Sequence, residues 1–271
     1  MINRGGLNNA TPGDVGWAEV IVDHLREREK LLRLKPPNLV RSALFTLRCW
    51  PNDLNALQVL AALESAQHTV YADFGMPMGS TEVIVWRTQT EFQRYTAMFT
   101  AQGNSEFVAA LTLTKLISTQ EGPLVLGEEV NVFTDPRAST FSTLAHEYGH
   151  VAVRQLSRGR TVPVWLNEGI ATAVEGGYDG YLPRVRKAAT ARRLLAWPDI
   201  AQWNVDGERA FLAYSQANSM IDYIVAKSGR EAILEILRQI GRDVPPEAAF
   251  RNVLKISQSD LWSRWAREGI R

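Results

Sequence analysis

A chain of 271 residues with 45% hydrophobic content is long enough for one large domain or two small ones, and it can bury roughly three quarters of its unfolded surface. Thirty Lys+Arg against 29 Asp+Glu leave a formal charge of +1, which excludes both the basic excess of a nucleic-acid binder and an acidic solvating tail. The one cysteine, Cys49, rules out an intrachain disulfide and reads as a small buried hydrophobe, and no apolar run reaches the roughly 18 residues of a membrane span.

In chain order, residues 1–16 are rich in Gly and Asn and lack the apolar stretch of a signal peptide. The expectation is a soluble chain, cytoplasmic by default, or a piece of a longer exported protein. Trp17, Val20, Ile21, Leu25 and Leu32 predict a helix over 17–34, stopped by Lys35-Pro-Pro-Asn38. Ser42 to Cys49 is read as a second short helix. Leu54, Leu57, Leu60 and Leu63 set a clear helical period that runs to about Phe74, where Gly75, Pro77 and Gly79 break it. Glu82–Trp86 predicts a strand, Thr88–Thr100 a helix, and Phe107–Ser118 and Glu128–Phe133 two more strands. Val130–Phe133 is read as an edge strand able to pair with an extended peptide. From Arg209 onward the pattern is helical, broken at Gly229, Gly241 and Pro245-Pro246. This divides the chain into a helical N-terminal segment, 1–52, and a remainder, 53–271. The remainder has an α+β portion to about 157 and a helical portion over 158–271, either as separate domains or as two lobes of one.

The chemistry concentrates in Thr143-Leu-Ala-His-Glu-Tyr-Gly-His-Val-Ala-Val153, which holds two of only four histidines. On a helix, positions i and i+4 share a face about 5–6 Å apart at Cβ, so His146 and His150 can grip one zinc ion. Glu147 lies about 100° around the helix, placed to act on a water rather than on the metal itself. This is the HExxH arrangement, in which the glutamate is a general base. In the plainer reading, both histidines simply fill a polar helix face. Gly149 costs about 1 kcal/mol relative to alanine inside a helix, which predicts that another element packs closely against it.

Two histidines leave a catalytic zinc one protein ligand short. Downstream, Val164-Trp-Leu-Asn-Glu168-Gly-Ile-Ala reads as a helix with Pro163 at its start and Gly176-Gly177 at its end. The short loop around Arg158-Gly-Arg160 lets it fold back, bringing Glu168 to the metal. The alternative for Glu168 is a surface carboxylate favoured by the helix dipole. Thr172, Asn218 or Asp222 are candidates to orient the imidazoles. His24 and His68 are read as ordinary surface or boundary histidines, Trp262 and Trp265 as core packing. Arg184, Arg186, Lys187, Arg192 and Arg193 read as a solvated helix face.

HEYGH followed by WLNEGIA resembles the gluzincin metallopeptidases, most closely their small peptidase-MA-like members, and the pattern fits roughly residues 53–268. A departure is the segment before the last strand, where family members often carry a run of glycines and this chain has only Gly122 and Gly127. The resemblance implies an α+β zincin-like fold with a small mixed sheet, an active-site helix, a glutamate helix and a helical C-terminal lobe. It implies Zn2+ held by His146, His150 and Glu168, Glu147 as general base, and a peptide or protein substrate. Tyr214 resembles a tyrosine that serves relatives as oxyanion donor; a core-edge tyrosine is the other reading, and Tyr178 and Tyr181 are further candidates. Two other functions remain open: a zinc hydrolase of a non-peptide amide or ester, and a non-catalytic binding or scaffold module.

Overall fold

Residues 45–49 read Phe-Thr-Leu-Arg-Cys, a period-two alternation, and they form a strand. The computed structural model describes residues 38–50, 56–74, 80–96, 110–119, 122–133, 140–175 and 181–270, with Arg26 and Lys30. The helix expected over 17–34, His24, Gly176-Gly177 and Tyr178 lie outside these described residues, apart from Arg26 and Lys30. The short helix expected over Ser42–Cys49 is corrected: β1 (Asn38–Arg41) and β2 (Phe45–Cys49) pair antiparallel. Phe45, Leu47 and Cys49 are buried while Thr46 and Arg48 are half-exposed, and this one-sided burial decides for strand over helix.

β3 (Thr81–Trp86), β4 (Ala110–Thr119) and β5 (Gly122–Phe133) complete a mixed sheet of order β1-β2-β3-β5-β4. β3 is parallel to both its neighbours, and β4 and β5 are antiparallel. The edge role expected of Val130–Phe133 is therefore also corrected. β5 is bonded on both sides and buried on both faces, with Val130 and Val132 on one and Glu129 and Asn131 on the other. β4 is the strand at that margin of the sheet.

The sheet faces differ. On one, Ile84, Trp86, Phe92 and Tyr95 cluster beneath α2 (Gln89–Thr96). On the other, Val83, Val85, Val130 and Val132 meet α1 (Ala56–Phe74) and α3 (Thr140–Leu156), which lie side by side. Leu144, Tyr148 and Val151 supply the buried stripe of α3, at the spacing a helix needs to keep one face on the core. Tyr148 meets Phe45 edge-to-face, ring centroids 5.3 Å apart.

After α3 the chain reverses through Arg158 and Gly159, both in the left-handed region (φ 52° and 73°), and the Gly159 N–H donates to the Arg154 carbonyl. α4 (Val164–Val174) then runs back against α3. A Cβ at Gly149 would sit 2.7 Å from the Cα of Ala171, so the close approach expected of that glycine is with α4. α4 is hydrophobic nearly all round because its far side is covered too. α7 (Gly207–Ser228) lies there, and a Cβ at Gly169 would meet the Ala217 carbonyl oxygen at 2.8 Å. The remaining helices, α5 (Tyr181–Thr190), α6 (Trp197–Gln202), α8 (Arg230–Gly241), α9 (Pro246–Leu254) and α10 (Gln258–Glu268), surround this pair. Trp265 is buried and donates from Nε1 to Ser219 Oγ at 3.0 Å, and Trp262 packs beside it. One hydrophobic cluster runs from Phe45 and Val83 in the sheet to Trp265 in α10.

Candidate active site

α3 and α4 meet at their glycine contact, and the side chains flanking that contact converge. His146 and His150 project from one face of α3, ring centroids 4.8 Å apart and nearly perpendicular. Glu168 comes from the second turn of α4: its Oε2 lies 3.3 Å from His146 Nε2 and 3.6 Å from His150 Nε2. One donor atom from each of the three falls within 4.8 Å of the others. Two imidazole nitrogens and one carboxylate oxygen at such separations suit a divalent transition metal.

The outer imidazole nitrogens face oxygens. His150 Nδ1 is 3.1 Å from Asn167 Oδ1, and His146 Nδ1 is 3.5 Å from Glu175 Oε2. With these oxygens accepting a proton from each Nδ1, each Nε2 is the nitrogen left to face inward, and it can bind a metal once it carries no proton of its own. The Tyr181 hydroxyl donates to Glu175 Oε2 at 3.4 Å and extends the chain by one group. Among the described residues the imidazole partners are Asn167, Glu168 and Glu175, and not Thr172, Asn218 or Asp222. Thr172 is fully buried with its hydroxyl unbonded among the described residues, and Asp222 lines a small cavity with Ile170 and Val174.

Charge in the site is weighted toward holding a cation. Burial alone would lower the pKa of His146, but its bonds to Glu168 and Glu175 and the nearby Glu147 charge outweigh that and raise it to about 10. Burial would raise the pKa of Glu168, yet the His146 bond and the charges of His150 and His146 bring it below the ordinary carboxylate range. The carboxylates that stabilise an imidazolium here would equally stabilise a metal ion.

Glu147 points not at the histidines' meeting point but toward β4. Its Oε2 accepts from Thr112 Oγ1 at 2.7 Å, and the same hydroxyl lies 3.0 Å from the Glu147 carbonyl oxygen. A hydroxyl has one rotatable proton and two lone pairs. It can donate to an ionised Glu147, or turn to the backbone carbonyl and accept from a protonated one. Tyr214, from α7, stands beside the site with its ring 6.2 Å from His146 and 5.3 Å from Trp203. Burial, then the charges of Glu168 and Glu147, raise its phenol pKa, so the hydroxyl keeps its proton and remains a donor.

The site thus brings together His146, His150, Glu168, Glu147 and Tyr214. Sequence reasoning missed Thr112, Asn167 and Glu175. Glu175 had a legible signal, since it lies seven residues, two helical turns, beyond Glu168 and therefore shares its face. No curated protein matches the sequence. A family model described as the peptidase MA superfamily matches residues 130–268, from within β5 through α3 and α4 to α10. That superfamily supports a peptidase-type hydrolase, and the match covers just over half of the chain, including both helices that build the cluster: the protein belongs to the peptidase MA superfamily.

Proposed function

We propose that the protein is a zinc-dependent peptidase in which His146, His150 and Glu168 hold the metal and Glu147 is the general base. The observation that carries this is the convergence of two Nε2 atoms and one carboxylate oxygen beside a further carboxylate that is kept off the cluster by Thr112. When bound, zinc supplies a Lewis acid that polarises the scissile carbonyl and lowers the pKa of an attacking water. Glu147 takes a proton from that water and delivers it to the leaving amine. Thr112 holds the carboxylate in line in both its charge states. Tyr214, its phenol still protonated, donates to the oxyanion that forms at the substrate carbonyl. A site that only braced the fold would have no use for Glu147, which speaks against the scaffold reading.

The decisive experiment combines metal analysis with a diverse peptide pool read by mass spectrometry, with and without chelator. The reading requires about one zinc per chain and cleavage that chelation abolishes; a chain that takes up no divalent metal, or cleavage indifferent to chelator, sinks it.

Two further outcomes are expected. Thr112→Val removes a hydrogen bond to a charged group and should lower kcat about 10- to 100-fold at unchanged zinc content, with Thr112→Ser recovering most of it. Steady-state kinetics of the three proteins checks this. A metal must also displace the proton that His146 holds with its pKa at about 10. Metal affinity should therefore rise about tenfold per pH unit between about pH 6 and 8, as measured by competition with a chromophoric chelator.

A further inference from the structure

α5 and α7 lie against each other in antiparallel fashion, and their facing residues form rungs that lead away from the site. The first rung is Tyr181 with Tyr214, which together touch Glu175 and His146. One turn along is Arg184. Its guanidinium sits 5.7 Å from the centroid of the Phe211 ring and donates to Ser215 Oγ at 3.3 Å. Beyond it the groove widens into a cavity of ≈ 500 Å³ lined by Arg184, Lys187, Arg193, Phe211 and Leu212. Phe211 is 60% exposed although it is a large aromatic, and α5 carries no acidic residue to neutralise its cations. Lys187 and Arg193 have no ion pair among the described residues.

We propose that this groove is the subsite for acidic side chains of the peptide substrate. The inference rests on the peptidase reading and deepens it by naming a substrate class. Three cations around a concave surface with an apolar floor suit carboxylates carried on an aliphatic chain, whose methylenes would cover Phe211. The spacing is specific. Arg184 and Lys187 lie one and two rungs beyond Tyr181, about 4.5 and 9 Å along the helix axis. An extended peptide advances about 3.3 Å per residue, so acidic side chains roughly one to three residues beyond the one beside Tyr181 would reach these cations. Of the basic residues that read in sequence as a solvated face, Arg184 is set against an aromatic ring in the fold, and Lys187 and Arg193 line the same cavity. A peptide is favoured over a nucleic acid because the chain as a whole carries a formal charge of only +1.

The test uses two fluorogenic decapeptides with one central sequence, flanked by glutamates in one and glutamines in the other. For zinc-loaded wild type, kcat/KM should be about tenfold higher for the glutamate peptide, mainly through KM, and the ratio should shrink as salt is raised. In the double variant Lys187→Gln, Arg193→Gln the ratio should fall to within about twofold. A second arm needs no turnover: fluorescence anisotropy of the two labelled peptides on Glu147→Gln protein should show the same preference and the same loss in the double variant. Equal handling of the two peptides in both arms overturns the subsite, as does a preference that survives the double variant. A single-stranded oligonucleotide that displaces the glutamate peptide at equal affinity also overturns it, as a general polyanion surface. Selective binding without any cleavage leaves the subsite standing and removes the peptidase reading. Cleavage without preference does the reverse.

Discussion

Glu147→Gln should lower kcat by about 10³ while zinc content stays at the wild-type level, because general acid–base catalysis contributes about 10²–10⁴. The amide has the shape of the carboxylate, and its oxygen can still accept from Thr112 Oγ1, so position is kept and only the capacity to carry a proton is lost. Glu147 is not among the three side chains whose donor atoms lie within 4.8 Å of one another, and its carboxylate is bonded instead to Thr112. Metal retention is therefore expected from the same geometry that predicts lost turnover. Paired measurements, metal by mass spectrometry and cleavage of a peptide that wild type hydrolyses, separate the two. A glutamine variant as fast as wild type would remove Glu147 from the chemistry. A variant stripped of metal would instead mean that Glu147 is a ligand.

The second large effect comes from a hydrogen atom. Gly149→Ala should improve helix propensity by about 1 kcal/mol, yet the net change is expected to be destabilising. The new Cβ would lie 2.7 Å from the Ala171 Cα and 3.3 Å from its Cβ, and a backbone atom cannot rotate away. Overpacking of this kind typically costs about 1–3 kcal/mol before the two helices separate. Separation draws Glu168 back from the histidines, since they stand on opposite sides of the same contact. Tm should drop by about 5 °C, and zinc affinity by about 10- to 100-fold, the usual scale for disturbing the support of a metal ligand. Gly127→Ala, where an added Cβ meets nothing within 4 Å, is the control and should change stability by less than about 0.5 kcal/mol. An unaltered zinc affinity in Gly149→Ala would show that the cluster tolerates helix displacement.

Much of the site was legible because its chemistry follows from spacing along single helices. His146 and His150 share a face by helical period alone, and Glu168 needed only the reversal at Arg158-Gly159. Gly149 announced a close neighbour through its cost, and the neighbour proved to be Ala171. The failures share another origin. Thr112 reaches Glu147 because β4 lies across α3, a relation between elements 35 positions apart that no local pattern encodes. Val130–Phe133 looked like an edge because its own alternation says nothing about how many strands flank it; β4 supplies the second neighbour. The helix expected over Ser42–Cys49 fails for a different reason. Eight residues hold barely two turns, too few to set a helical period against a strand period unless the polar positions Thr46 and Arg48 are weighted.

Trp165 lies one helical turn before Glu168, and its indole N–H donates to Gln258 Oε1 at 2.9 Å across 93 positions of sequence. Glu247 in α9 holds that glutamine from behind, its Oε2 accepting from Gln258 Nε2 at 3.2 Å. The posture of the glutamate is thus governed from the tail of the fold. Lesions in α9 or α10, distant from any reacting atom, should loosen the grip on the ion before they unfold the chain.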